Sequence, residues 1–361
     1  MAELCAPVFD ISPRATALWG IMRGVVLLSL LLVSGCSRSA RQNQQPTYGG
    51  KPLIDWAMMT QDQGIGGAPS AAAGRAADAV RAIGPTQAIP FLVRWIQPPW
   101  TNSMVAGGAV QCFRIFGPEA KAAILGLAKI LNLRATTMYD RSAQMMAAES
   151  LSYLGPEAVH VLLEAATRFQ GQDIQREIIE DIGNFGTNGA EAKPAILKWS
   201  KNPDESVRMG ALHAYVGIET NRAAVVPYLL TALKDHNDLV RRDAAEALGF
   251  AAAHDKGALP ALLKALADPE WQARLGAVQG LGELGVAPEV VLPLLTQKLH
   301  DENSVIRRSA AFSLGAVGGK EAFNALMAST DDPNGFVREA VFQSLRRIDA
   351  KELERSGKRF H

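Results

Sequence analysis

The chain has 361 residues, with 37 Lys and Arg against 36 Asp and Glu and only 6% aromatics. Near-balanced charge removes the basic footprint that a phosphate-backbone binder needs, which argues against nucleic acid as a partner. A chain rich in Ala and Leu and poor in aromatics suits helices packed through small side chains rather than a sheet, so an all-α fold is expected.

At the N-terminus, Met22-Arg23 precedes an apolar run from Gly24 to Val33 and then Ser34-Gly35-Cys36. A run of about ten residues is too short to span a bilayer and suits the core of a signal peptide. Val33-Ser34-Gly35-Cys36 resembles the bacterial lipobox. The resemblance implies that residues 1–35 are removed and that Cys36 is the lipidated mature N-terminus, anchoring the protein on a membrane of the bacterial cell envelope and facing the periplasm. Ser37 stands where an inner-membrane retention Asp would be, which by the same resemblance favours the outer membrane. Residues 1–21 read as an upstream extension, since Met22 alone would start a compact signal. Residues 36–47 are polar and aperiodic, as a flexible tether should be. With Cys5 discarded and Cys36 acylated, Cys112 is left alone, and no metal-binding cysteine framework exists.

Residues 48–69 are expected to form an N-terminal cap helix, with Leu53, Trp56 and Met59 at helical spacing, followed by a glycine-rich loop from Gln61 to Pro69. Over residues 70–201, helix ends read as Ile83-Gly84-Pro85, Phe116-Gly117-Pro118, Leu154-Gly155-Pro156 and Phe185-Gly186, spaced 33, 38 and 31 residues apart. Each precedes an apolar stretch suited to a second helix, giving divergent repeats.

From 202 to 348 the spacing becomes strict. Pro194, Pro227, Pro260 and Pro293 lie 33 residues apart, as do Arg208, Arg241, Arg274 and Arg307, with Ala211, Ala244, Ala277 and Ala310 three positions further on. Asp235, Asp268 and Asp301 share the interval, with Asn202 in the same phase, and so do Gly249, Gly282 and Gly315. Within one unit, Val240, Ala244 and Leu248 form the apolar stripe of a first helix. Leu259, Leu262, Leu263 and Leu266 form that of a second, with Pro260 in its first turn. Gly249 suits either a helix cap or close approach by the next unit. Neither stripe can be buried alone, so the units must stack. Eight pairs result, followed by a ninth first helix carrying Val337, Arg338, Val341 and Leu345; residues 349–361 form a polar C-terminal tail.

The pattern from Asp235 to Gly249, with its Val-Arg and Ala-Leu-Gly pieces, resembles the short HEAT-like repeats also found in bilin lyases. The resemblance implies a right-handed α-solenoid of about eight to nine antiparallel helix pairs, with second helices lining the concave side. It further implies that the repeated Asp and Arg form a ladder between units, the carboxylate capping a helix start and the arginine bridging loops. An anion-binding arginine stripe is the alternative for Arg208, Arg241, Arg274 and Arg307.

No catalytic motif is present. The histidines (160, 213, 236, 254, 300 and 361) form no ligand-spaced pair, and Asp331 to Gly335 lacks the bidentate Glu of a calcium loop. No catalytic residue, metal or cofactor is expected. Trp199, Tyr228 and Trp271 are candidates for partner contact because large aromatics dominate binding hot spots. The expected function is a non-enzymatic, lipid-anchored protein-protein interaction scaffold that binds another envelope protein or peptide. The rival is a repeat-built enzyme such as a bilin lyase or a DNA glycosylase-like protein, whose substrates are cytoplasmic.

Overall fold

The computed structural model describes residues 45–62, 69–99, 102–171, 173–253 and 256–358. The signal segment, Cys36, most of the tether, His254 and His361 lie outside them. The chain opens with a two-stranded hairpin, β1 (Thr47–Tyr48) and β2 (Lys51–Pro52), leading into α1 (Leu53–Met59). The hairpin is not visible as a pattern in the sequence. Its first residues are tied down, because the Pro46 carbonyl accepts from the Leu53 N–H at 2.9 Å and the Gln45 side chain from the Ile54 N–H at 3.0 Å. Residues 45–47 therefore belong to the folded cap rather than to the tether. Leu53 and Ala57 are fully buried, and the Trp56 indole donates to the Tyr48 carbonyl at 3.0 Å.

Helix pairs follow. The first helices are α2 (Ala71–Ile83), α4 (Ser103–Phe116), α6 (Met138–Ser152), α8 (Ile174–Gly183), α10 (Glu205–Ile218), α12 (Asp238–Ala251), α14 (Trp271–Leu284) and α16 (Ser304–Val317). Their respective second helices are α3 (Pro85–Ile96), α5 (Ile124–Leu131), α7 (Val159–Arg168), α9 (Lys193–Trp199), α11 (Arg222–Ala232), α13 (Leu259–Ala265), α15 (Pro288–Lys298) and α17 (Gly319–Met327). Last comes α18 (Gly335–Arg355), a ninth first helix. Apolar stripes from every pair merge into one continuous core, as stacked repeats require. Cys112 is buried in it, and burial pushes its thiol up to about 12, so it is inert. None of these helices is long and apolar enough to cross a membrane. Helix α18 breaks at Asp349, whose side chain accepts from the Glu352 N–H, and the following turn buries Leu353. Part of the polar tail is thus folded against the array.

The glycine series divide into two physical classes. Gly84, Gly117, Gly155 and Gly186 stand between paired helices with φ of 83°, 56°, 97° and 55°, which only glycine adopts without strain. Gly249, Gly282 and Gly315 instead lie inside first helices, which continue past them. A Cβ on Gly249 would stand 2.3 Å from the Gly280 carbonyl oxygen, and one on Gly276 only 2.1 Å from that of Arg242. Successive first helices are therefore in backbone contact. Successive second helices, by contrast, barely touch one another, so the stack bends toward the first-helix layer and the first helices line the concave side. This corrects the expectation that the second helices do. The prolines divide too: Pro194 and Pro260 occupy the first turns of α9 and α13, whereas Pro227 and Pro293 lie inside α11 and α15, which begin earlier.

A Gly249→Ala substitution is expected to destabilise the array by about 2–3 kcal/mol through overpacking. Gly74→Ala in α2, where a Cβ meets nothing within 4 Å, should gain up to ~1 kcal/mol from helix propensity. Thermal melts followed by circular dichroism compare the two, and equal midpoints would refute the backbone contact.

Candidate interaction groove and inter-repeat ladder

The repeated arginines turn inward, toward the loops that join successive units. Arg208 Nε and Nη2 donate to the two oxygens of Asp235 in the next unit, both at 2.8 Å, while Nη1 donates to the Asn202 and Pro203 carbonyls of its own turn. Arg241 binds Asp268 in the same way, at 2.7 and 2.9 Å, and Arg307 binds Asp332 at 2.8 and 3.1 Å. Arg274 keeps the turn carbonyls of Asp268 and Pro269 but pairs with no carboxylate among the described residues; Asp301 takes Lys298 Nζ at 3.4 Å instead. With the forks of Arg208, Arg241 and Arg307 occupied by carboxylates, the column is not an anion-binding stripe.

The role implied for the aspartates also changes. Asp235, Asp268, Asp301 and Asp332 each accept the N–H two residues on, which shapes the turn. The helix starts are capped by Asn237, Asn303 and Asn334. Asp332 escaped the sequence pattern because it follows Asp301 by 31 residues rather than 33. In the divergent half, Gln144 and Gln175 stand in the arginine column and are almost fully buried. Gln144 Nε2 donates to the Leu131 and Leu133 carbonyls and Gln175 Nε2 to that of Ala166. Burial pushes the Asp235, Asp268 and Asp332 carboxyls up, but bonds from Arg208, Arg241 and Arg307 and from the turn N–H groups outweigh it. All three are held below the usual carboxylate range.

The concave face carries different residues. One column runs along successive first helices as Glu180, His213, Glu246, Gln279 and Phe312, at the ladder period, and a parallel one as Phe250, Glu283 and Ala316. Here the period is kept and the residue type is not. A cavity of about 400 Å³ spans four first helices, from Glu246 and Phe250 on α12 past Gln279 and Glu283 on α14 and Arg308 and Phe312 on α16 to Arg347 on α18. Phe250 is 55% exposed and Phe312 40%. A neighbouring cavity of about 530 Å³ is lined by His213, Asp243, Glu246 and Phe250. His213 bridges three units, with Nδ1 3.0 Å from Glu180 Oε1 and Nε2 3.1 Å from Asp243 Oδ2. Hydrogen bonds to Asp243 and then Glu180 raise its pKa to about 9. The sequence does not single out this histidine, because its partners lie 33 and 30 residues away; the column spacing was the available signal.

The three aromatic candidates are elsewhere. Trp199 is 8% exposed and belongs to the core, and Tyr228 stacks on Tyr215 of its own unit with ring centroids 4.3 Å apart. Packing accounts for both. Trp271 opens α14 at 36% exposure and lines neither groove cavity. Among the described residues, no three His, Cys, Asp or Glu side chains are grouped to hold a metal.

Stacked antiparallel helix pairs sharing one continuous core define an α-solenoid. A sequence profile of HEAT repeats matches residues 159–249, 215–270 and 259–346, together more than half of the chain, and the chain belongs to the HEAT-repeat family. Solved structures similar to it include human deoxyhypusine hydroxylase in complex with glycerol, at 20% identity over 75% of this chain and 99% of that one, with a TM-score of 0.34. The complex of CpcE and CpcF of phycocyanin lyase from Nostoc is 20% identical over 62% of this chain and 94% of that one, with a TM-score of 0.40. Kap121p bound to Nup53p is 12% identical over 77% of this chain and 35% of that one, with a TM-score of 0.49. These are likenesses of fold alone. No curated protein matches the chain.

Replacing Arg208 by Met strands the Asp235 carboxylate, which is only 12% exposed, and should cost about 3 kcal/mol. Arg274→Met, with no such partner, should cost about 1 kcal/mol. Because the folded-state carboxyl is depressed, the ladder's contribution is present above the unfolded value of about 4 and is lost as pH falls through the folded one. The Arg208→Met deficit in unfolding midpoint should therefore shrink in acid, and a deficit unchanged down to pH 2 would refute the pairing.

His213 behaves oppositely. Its raised pKa makes its bridge fully stabilising below about 6.5, and the contribution is lost as pH rises through about 9. A His213→Gln variant should melt below wild type at pH 6 and with it at pH 10; a constant difference across that window would count against the bridge.

Proposed function

We propose that this chain is a non-enzymatic interaction scaffold, held by a lipid on Cys36 in the bacterial cell envelope, that receives another protein or peptide in the groove formed by its first helices. The observation that carries the reading is the contrast between columns. Positions facing the next unit repeat as Arg, Ala and Gly, while groove positions 180, 213, 246, 279 and 312 read Glu, His, Glu, Gln and Phe. A repeated scaffold presenting varied side chains along one face can match an extended partner residue by residue, and the exposed Phe250 and Phe312 supply apolar anchors. The lipobox-like Val33 to Cys36 supports the anchor, and proteins and peptides of the envelope are the partners within its reach.

The test replaces Phe312 by a photo-crosslinking phenylalanine in cells, with Trp271, outside the groove, as the control position. A discrete protein adduct at 312 and none at 271 is expected. Equal adducts at both, or none at 312, would overturn the groove as the binding face. In parallel, Cys36→Ala should move the protein from the membrane to the soluble fraction, and unchanged fractionation would remove the lipid anchor. A shift in visible absorbance on adding free bilin would instead favour the lyase reading.

A further inference from the structure

We infer that the cavity between α12 and α18 selects one chemistry of partner: an extended peptide segment with a basic side chain at one end, apolar residues in the middle and an acidic side chain at the other. The inference rests on the groove being the partner site. It is carried by the order of charges along the groove. Glu246 on α12 and Glu283 on α14 occupy one half, and Arg308 on α16 and Arg347 on α18 the other. Among the described residues none of these four forms an ion pair; Arg308 lies over the Phe312 ring at 5.6 Å. The neighbouring Glu180 and Asp243 are already paired, both with His213 and also with Arg176 and Arg242 respectively. The groove thus holds two acids outside any ion pair in one half and two bases outside any ion pair in the other, with Phe250 beside the acids and Phe312 beside the bases.

Glu246 is the most constrained of these groups. Burial and then the neighbouring Asp243 push its carboxyl up against the opposing pull of Arg242 and His213, so it stays partly desolvated and outside any ion pair. An arriving ammonium or guanidinium restores the charge that the site disfavours. Phe250, four residues on along α12, and Phe312, four on from Arg308, place an aromatic surface beside each charged half. Axes of packed helices lie about 8–10 Å apart, so the centre of the acidic half and the centre of the basic half are separated by about 16–20 Å. An extended chain advances about 3.3 Å per residue. The partner's base and acid should then be about five or six residues apart, with apolar side chains between them to meet the two phenylalanines. A segment with charges of one sign only would meet repulsion at one half.

The experiment measures binding of fluorescein-labelled, end-capped synthetic peptides to the full chain in detergent. One peptide carries a lysine and a glutamate six positions apart around a Leu-Phe-Leu centre. Two others carry two lysines or two glutamates at those positions. The mixed-charge peptide is expected to bind about tenfold more tightly than either like-charged one at physiological salt. The double variant Glu246→Lys with Glu283→Lys, both outside the core, should fold as wild type by thermal melting and should invert the order, preferring the two-glutamate peptide. Equal affinities for the three peptides, no binding of the mixed-charge peptide, or an unchanged order in the double variant would overturn the inference. A position-312 adduct that persists alongside any of these outcomes would leave the groove as the partner site and remove only its charge rule; loss of the adduct as well would remove both.

Discussion

Everything in this array depends on how closely one first helix approaches the next. At Gly249 and Gly276 the approach leaves no room for a Cβ, because the neighbouring carbonyl oxygens of Gly280 and Arg242 already fill the space at 2.3 and 2.1 Å. Small residues there bring the helices into backbone contact, where dispersion between many atoms replaces the larger side chains of an ordinary core. Curvature toward the first-helix layer follows, and with it the identity of the groove face. Ala211, Ala244, Ala277 and Ala310, all fully buried, extend the same close seam.

The charged ladder is secondary to that seam and fixes how successive units are joined. Each paired guanidinium ties its own turn to a carboxylate in the next unit, using the planar fork that only arginine supplies. Buried pairs of this kind add little net stability over apolar replacements, yet breaking one costs several kcal/mol. In the divergent half, neutral Gln144 and Gln175 reach backbone carbonyls through their amide nitrogens instead, so the same column bridges turns without buried charge. Units interact mainly with their neighbours, which allows such local substitution without loss of the whole.

This arrangement separates structural from recognition positions on one helix. Within α12, Arg241, Ala244 and Gly249 serve the stack, while Glu246 and Phe250 face the groove. The groove can therefore change its side chains unit by unit at little cost to the fold, and His213, joined to Glu180 and Asp243, shows that a groove residue can also brace three units together.

The sequence by itself determined the repeat. The 33-residue period of Pro, Arg, Ala, Asp and Gly gave the number of units, their two-helix make-up and the all-α class, because each apolar stripe has only its neighbours to bury it. It also made the Arg and Asp columns legible as a ladder, though not which carboxylate meets which arginine: Asp332 falls two residues short of the period and Arg274 goes without a carboxylate. Only the tertiary structure decided three other matters. Trp199 became core and Tyr228 an intra-unit packing residue. The glycines of the regular half proved to be points of close approach by the next first helix, its backbone at Gly249 and the side chains of Ser313 and Ser344 at Gly282 and Gly315, rather than helix caps. The concave side passed to the first helices. Each depends on the distance between helices far apart in sequence, and periodicity records which residues recur without recording how near they come.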